Sequence, residues 1–202
     1  MRLPASSCLA LLLATAALSH LPLSVAATSY RLASWPATAL PPAFNLVDQH
    51  GDRRSLTDYA GRVAIVLFGY TRCPDVCPGE LFTLRQVLAR LGPLASHVQV
   101  LFITLDPQHD TPSVLESYVT AFDPRFIGLT GSTADINAAA ASFSVEFAKV
   151  TVDHGYTVDH STGIYVIDPA GRLRLVGNPQ TRVEDWIHDL RLIGDAVPPV
   201  SR

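Results

Sequence analysis

The sequence predicts an α/β sandwich built on a mixed central sheet, and three observations predict it. Residues 63–68 are a continuous apolar run and residues 98–105 a largely apolar one, the mark of strands covered on both faces. Each run leads into a helical pattern: Leu81, Leu84, Leu88 and Leu91 after the first, residues 112–122 after the second. Near the end of the chain, two strand-like runs flank Pro169-Ala170-Gly171 and read as a hairpin. Alternating strands and helices closed by a hairpin give a layered α/β architecture.

The elements follow in order. Residues 44–47 read as a strand, 48–51 as a turn and 53–56 as the return strand, an N-terminal hairpin extension. After the 63–68 strand, residues 69–77 form a loop. Pro78 suits the first position of a helix, where a missing N–H has no partner to lose, and Gly92-Pro93 stops it. Residues 106–110 are a loop; Thr111 caps a helix opening at Pro112. Residues 126–129 are a short strand, and Thr133 caps an alanine-rich helix to residue 143. Residues 145–150 alternate as a strand, and 151–162 are polar and loop-like. Residues 163–168 and 172–176 form the hairpin, and Thr181 with Glu184 reads as the capping box of a last helix through 193.

Of the 202 residues, 48% are hydrophobic, enough for a substantial core. The formal charge of −3 gives no electrostatic case for a nucleic-acid partner. Residues 1–27 read as a secretory signal peptide, or alternatively an N-terminal anchor: Arg2, an apolar stretch centred on Leu11, Leu12 and Leu13, then Val25, Ala26 and Ala27 as small residues before a cleavage point. Residues 28–43, with Pro36, Pro41 and Pro42, have a linker composition. The domain spans 44–196. An exported protein in the bacterial periplasm follows, soluble or, if the leader is retained, membrane-associated.

Of the three cysteines, Cys8 leaves with the leader. Cys73 and Cys77 remain, too close together for a disulfide to constrain much unfolded-chain entropy. Chemistry explains the pair better than stability does. It stands where a buried strand meets a helix start, where unpaired N–H groups favour a thiolate and lower its pKa. Arg72 and Asp75 adjoin the pair. The CxxxC spacing suits a redox disulfide or a two-point chelate. Two soft sulfurs select Cu(I) or Zn(II); zinc takes four ligands, whereas copper accepts two sulfurs and one imidazole. Of the histidines, His50, His97, His109 and His188 read as surface residues. His154 and His160 each follow an aspartate in the polar 151–162 segment, and spacing does not choose between them.

The segment Phe68-Gly69-Tyr70-Thr71-Arg72-Cys73-Pro74-Asp75-Val76-Cys77-Pro78 resembles the signature of the SCO/SenC family. Thr104-Leu105-Asp106-Pro107 with Asp110-Thr111-Pro112, and Asp159-His160-Ser161 before the 164–168 strand, resemble its second and third motifs. The resemblance implies a thioredoxin-like fold and a copper ion, Cu(I) or Cu(II), held by Cys73, Cys77 and His160, with His154 ranked second. It also implies a metallochaperone rather than an enzyme, serving the copper A subunit of cytochrome c oxidase and loaded by another copper chaperone. The alternative it leaves is a thiol-disulfide oxidoreductase using Cys73 and Cys77. That reading needs no distant histidine, and residues 159–162 lack the proline that thioredoxins carry in this loop.

Overall fold

The computed structural model describes residues 29–36 and 41–195. The leader read over residues 1–27 lies outside the described residues. Among those described, no helix is long and apolar enough to cross a membrane.

The strands are β1 (Ala33–Ser34), β2 (Asn45–Asp48), β3 (Arg53–Ser55), β4 (Val63–Gly69), β5 (Val98–Thr104), β6 (Ile127–Thr130), β7 (Phe147–Val152), β8 (Gly155–His160), β9 (Ile164–Ile167) and β10 (Leu173–Gly177). The helices are α1 (Val76–Arg90), α2 (Pro112–Phe122), α3 (Thr133–Ser142) and α4 (Val183–Asp195). Eight strands form one mixed sheet in the order β1-β10-β9-β4-β5-β6-β2-β3, and β7 pairs with β8 in a separate ribbon. β4, β5 and β6 run parallel; β9 lies antiparallel beside β4. The predicted mixed α/β sandwich is what the chain adopts.

β4 shows why the sheet has two faces. Val63, Ile65 and Leu67 enter one apolar cluster with Leu81, Leu84 and Leu88 of α1, Leu115 of α2 and Trp186 of α4. Ala64, Val66 and Phe68 enter the other, with Ile136, Ala139, Ala140 and Phe143 on and just beyond α3. Alternation along a strand sends successive side chains to opposite faces, so β4, covered on both, carries no polar side chain. Full burial of each such leucine is worth roughly 1.5–3 kcal/mol, against about 0.3–1 kcal/mol for a charge at a helix end. Burial therefore dominates where α1 lies.

Several boundaries differ from the sequence expectation. α1 opens at Val76 rather than Pro78, with Asp75 as its N-cap, so Cys77 belongs to the first helical turn. Pro78 is tolerated at the third helical position because none of the first four N–H groups has an intrahelical partner. Ser132, not Thr133, caps α3: its hydroxyl accepts from the Asp135 amide, and Asp135 returns a bond to the Ser132 amide. Thr181 accepts from the Asn178 amide instead of forming a capping box. The polar 151–162 segment is mostly strand, with a turn at Asp153-His154 before Gly155 at φ +119°. Only glycine enters that backbone region without strain.

Part of the 28–43 segment read as linker is built into the fold. Ala33 and Ser34 pair with Val176 and Leu175. The backbone amides of Arg31 and Leu32 both donate to the buried Asp189 carboxylate of α4.

Candidate metal centre

Parallel strands β4 and β5 end at the same side of the sheet, and the loops after them build the site. This is the edge at which α/β sheets place their ligands. β4 delivers the 70–75 loop, tightened by a bond from the Cys73 amide to the Tyr70 carbonyl. β5 delivers the loop holding Asp106 and Asp110.

The two cysteines have unlike surroundings. Cys73 is half-buried and Cys77 fully buried, and both are free thiols. The Cys77 amide, in the first turn of α1, donates to Cys73 Sγ at 3.5 Å. Cys73 Sγ thus receives a helix-start donor. Cys77 departs from the lowered pKa expected at a helix start: burial pushes its thiol well above the usual range, reinforced by neighbouring Cys73 and Glu80. Desolvation outweighs the helix terminus here. Glu80, one turn further along α1, is itself 4% exposed, with Oε1 unpaired, and burial raises its carboxyl to about 8.

His160 closes β8, opposite Phe147. It shares a strand face with Val158, buried in the cluster that holds Tyr70 and Phe68, and with Tyr156, whose ring lies 4.3 Å from the Arg72 guanidinium. His160 therefore shares its strand face with the Tyr156 ring that packs on Arg72, the neighbour of Cys73. Its Nδ1 lies 2.8 Å from the Ser161 carbonyl. A carbonyl only accepts, so Nδ1 carries the proton and Nε2 keeps the lone pair a metal would use. His154 sits exposed at the tip of the hairpin, on its turn. The ligand atoms of Cys73, Cys77 and His160 are not all within 4.8 Å of one another; among the described residues, Asp106, His109 and Asp110 form the one trio of possible ligands that is.

That acidic trio is occupied by protein donors. Asp110 accepts from the Thr71 amide (3.0 Å), the Thr71 hydroxyl (2.6 Å), the Thr104 hydroxyl (2.6 Å) and His109 Nδ1 (2.9 Å). Asp106 accepts from Arg72, Lys149 and Tyr156. Burial would raise the Asp106 carboxyl, but the bonds from Lys149, Tyr156 and Arg72 hold it below the ordinary value. Arg72 is therefore committed to a carboxylate behind the loop rather than to a cysteine. Sequence reasoning singled out Asp106 and Asp110 only as motif letters; their roles as the floor of the cysteine loop are carried by partners up to fifty residues away.

A buried parallel strand that hands a cysteine pair to the start of the next helix, flanked by a histidine on a neighbouring hairpin, defines a thioredoxin-like domain. Residues 33–193 match the SCO1/SenC family model. The chain belongs to the SCO1/SenC family. It is 37% identical over 132 residues to an SCO2-like protein of Rickettsia felis, covering 64% of this chain and 64% of that protein. It is also similar to the structure of Bradyrhizobium japonicum ScoI with copper bound, with 37% identity and a TM-score of 0.71, covering 77% of this chain and 99% of that one. A third likeness is BsSco, a member of the Sco family of cytochrome c oxidase assembly proteins in which a disulfide switch was identified, with 25% identity, a TM-score of 0.63, and coverage of 80% and 97%.

Proposed function

We propose that this chain is a copper metallochaperone of the periplasm, in which Cys73, Cys77 and the Nε2 of His160 hold a copper ion. The carrying observation is the pairing of one accessible sulfur with one buried sulfur at the α1 start; the reading adds the His160 imidazole of the hairpin, whose Nδ1 is already engaged. Two thiolates and one imidazole are a soft set that suits Cu(I), and the imidazole helps the same site hold Cu(II). Copper in the related ScoI structure supports the same cargo. The recipient is the copper A subunit of cytochrome c oxidase, consistent with the assembly role of the Sco family, and the donor is another copper chaperone. Delivery proceeds by exchange of ligands, with no covalent change to the recipient.

Thiol-disulfide exchange by Cys73 and Cys77 is the competing reading. It leaves the histidine without a role, and copper-bound relatives do not favour it. The test is a Cu(I) chelator competition on three forms of the protein. His160→Ala is expected to lose affinity by an order of magnitude or more, as loss of a metal ligand should, and His154→Ala to match the wild type. Equal affinity in all three forms, or a loss confined to His154→Ala, would remove His160 from the site.

A further inference from the structure

Asp106 stands between the two halves of the candidate ligand set. Its side chain is fully buried. Oδ2 accepts from Arg72 Nη2 at 3.0 Å, and Arg72 immediately precedes Cys73. The same oxygen accepts from the Tyr156 hydroxyl at 2.6 Å, while Oδ1 accepts from Lys149 Nζ at 2.7 Å. Tyr156 lies on β8, four residues before His160, and Lys149 lies on β7 opposite Val158. One carboxylate is thus bonded to the cysteine loop and to both strands of the histidine hairpin. The Tyr156 ring adds to the junction, with Arg72 at 4.3 Å and Lys149 at 4.6 Å from its centroid.

The hairpin needs such an anchor. Among the described residues β7 and β8 pair with each other and not with the main sheet. β7 is exposed along most of its length, so it has little apolar burial to hold it down. Two further polar tethers go to neutral groups: Tyr70 Oη with Thr157 Oγ1 at 2.8 Å, and Lys149 Nζ donating to Gln108 Oε1 at 2.5 Å. Hydrogen bonds to an ionised group are roughly twice as strong as neutral ones, so the bonds to Asp106 are the strongest polar tethers of the hairpin, alongside the burial of Val158 on β8.

We infer that Asp106 is a positioning residue that sets His160 against Cys73 and Cys77, by holding the cysteine loop through Arg72 and the histidine hairpin through Tyr156 and Lys149. The inference rests on the copper reading above. Asp106 touches no metal; it acts through the orientation of residues that do, and removal of such a support costs roughly 10–100-fold in metal affinity.

The experiment uses the full-length protein in two variants. Asp106→Ala removes the whole anchor. The double variant Tyr156→Phe with Lys149→Met removes only the hairpin's share and leaves Asp106, Arg72 and the cysteine loop intact, so it decides the matter if Asp106→Ala does not fold. Three readouts are taken: Cu(I) affinity by chelator competition, nitrogen coupling in the Cu(II) electron paramagnetic resonance spectrum, and amide hydrogen exchange of the apo protein. Both variants are expected to lose affinity roughly 10–100-fold and to lose nitrogen coupling. Adding His160→Ala to either is expected to cost nothing more, the signature of two changes acting through one interaction. In the apo protein, exchange is expected to quicken across β7 and β8 while β4 and β5 stay slow. Wild-type affinity and nitrogen coupling in the double variant would overturn the inference. If the wild type and His160→Ala bind copper alike, His160 leaves the proposed site and that part of the copper reading fails instead, while the exchange measurement still reports on Asp106.

Discussion

A Cβ placed on Gly69 falls 2.7 Å from Cys77 Sγ and 3.0 Å from Phe102 Cε2. The last residue of β4 and the buried cysteine of α1 are therefore in as close a contact as the chain permits, with no side chain between them. Gly69→Ala is expected to push Cys77 and the α1 start outward. Overpacking of this kind costs about 1–3 kcal/mol, measurable by urea unfolding. Because the displaced atom is a candidate ligand, copper affinity is expected to fall too. An alanine variant with unchanged stability and affinity would show that the helix start adjusts freely.

The difference between the two sulfurs is open to chemical mapping. Cys73 is half-exposed and receives the Cys77 amide; Cys77 is fully buried, with its thiol pushed up. In the apo, reduced protein at neutral pH, iodoacetamide is expected to label Cys73 well before Cys77, because the thiolate is the reactive form and must be reached. Peptide mapping by mass spectrometry reads the order directly. Equal rates would mean that α1 opens on the labelling timescale.

Glu80 gives a pH dependence with a definite sign. Its folded carboxyl is raised to about 8 from 4.5 by burial. Below about 4.5 it is protonated in both states and its titration contributes nothing. Between about 4.5 and 8 the unfolded chain releases the proton while the folded one retains it, so its contribution to stability falls as pH rises, by about 1.4 kcal/mol per pH unit. Glu80→Gln keeps the shape of the neutral side chain without the titration. The variant is expected to match the wild type near pH 4 and to exceed it increasingly up to pH 8 or 9. Urea unfolding across that range tests it, and a constant difference at every pH would contradict it.

Thr104 joins the Asp110 carboxylate to the Asp106 backbone beneath the site. Its hydroxyl donates to Asp110 at 2.6 Å and accepts from the Asp106 amide at 2.9 Å. Thr104→Val preserves volume but removes one donor from a buried carboxylate and orphans a buried amide. A loss of about 1–3 kcal/mol is expected, with Thr104→Ser largely restoring the wild-type value. Thermal unfolding of the three forms separates the hydroxyl from the shape.

The sequence carried the central architecture because burial on both faces leaves a strong apolar signal: β4 is apolar throughout, β5 is interrupted only by Gln99 and Thr104, and Thr111 with Pro112 marks the start of α2. It did not carry β8, since a two-stranded ribbon with exposed positions on both faces has no hydrophobic period to read. It did not carry β1 either, whose two residues are both exposed and which is fixed mainly by backbone bonds. The cysteine pair was legible because its two residues are four apart in the chain. Asp106 was not, because its partners Arg72, Lys149 and Tyr156 come from three elements and leave no local pattern. The fate of Cys77 was misjudged for a related reason: helix position is local information, while desolvation depends on everything packed around the sulfur.

The short strand β1 has a practical side. It covers the outer edge of β10, and at the far end of the same sheet β3 is only three residues long and begins with two arginines. Short and charged edges of this sort keep a sheet from templating pairing with another chain. A recombinant form started at Phe44, as a proline-bearing spacer would invite, would bare the Leu173–Gly177 backbone to solvent and strip the buried Asp189 of two backbone amide donors. Such a truncation is thus prone to self-association through β10, and a soluble minimal domain has to begin upstream of Arg31.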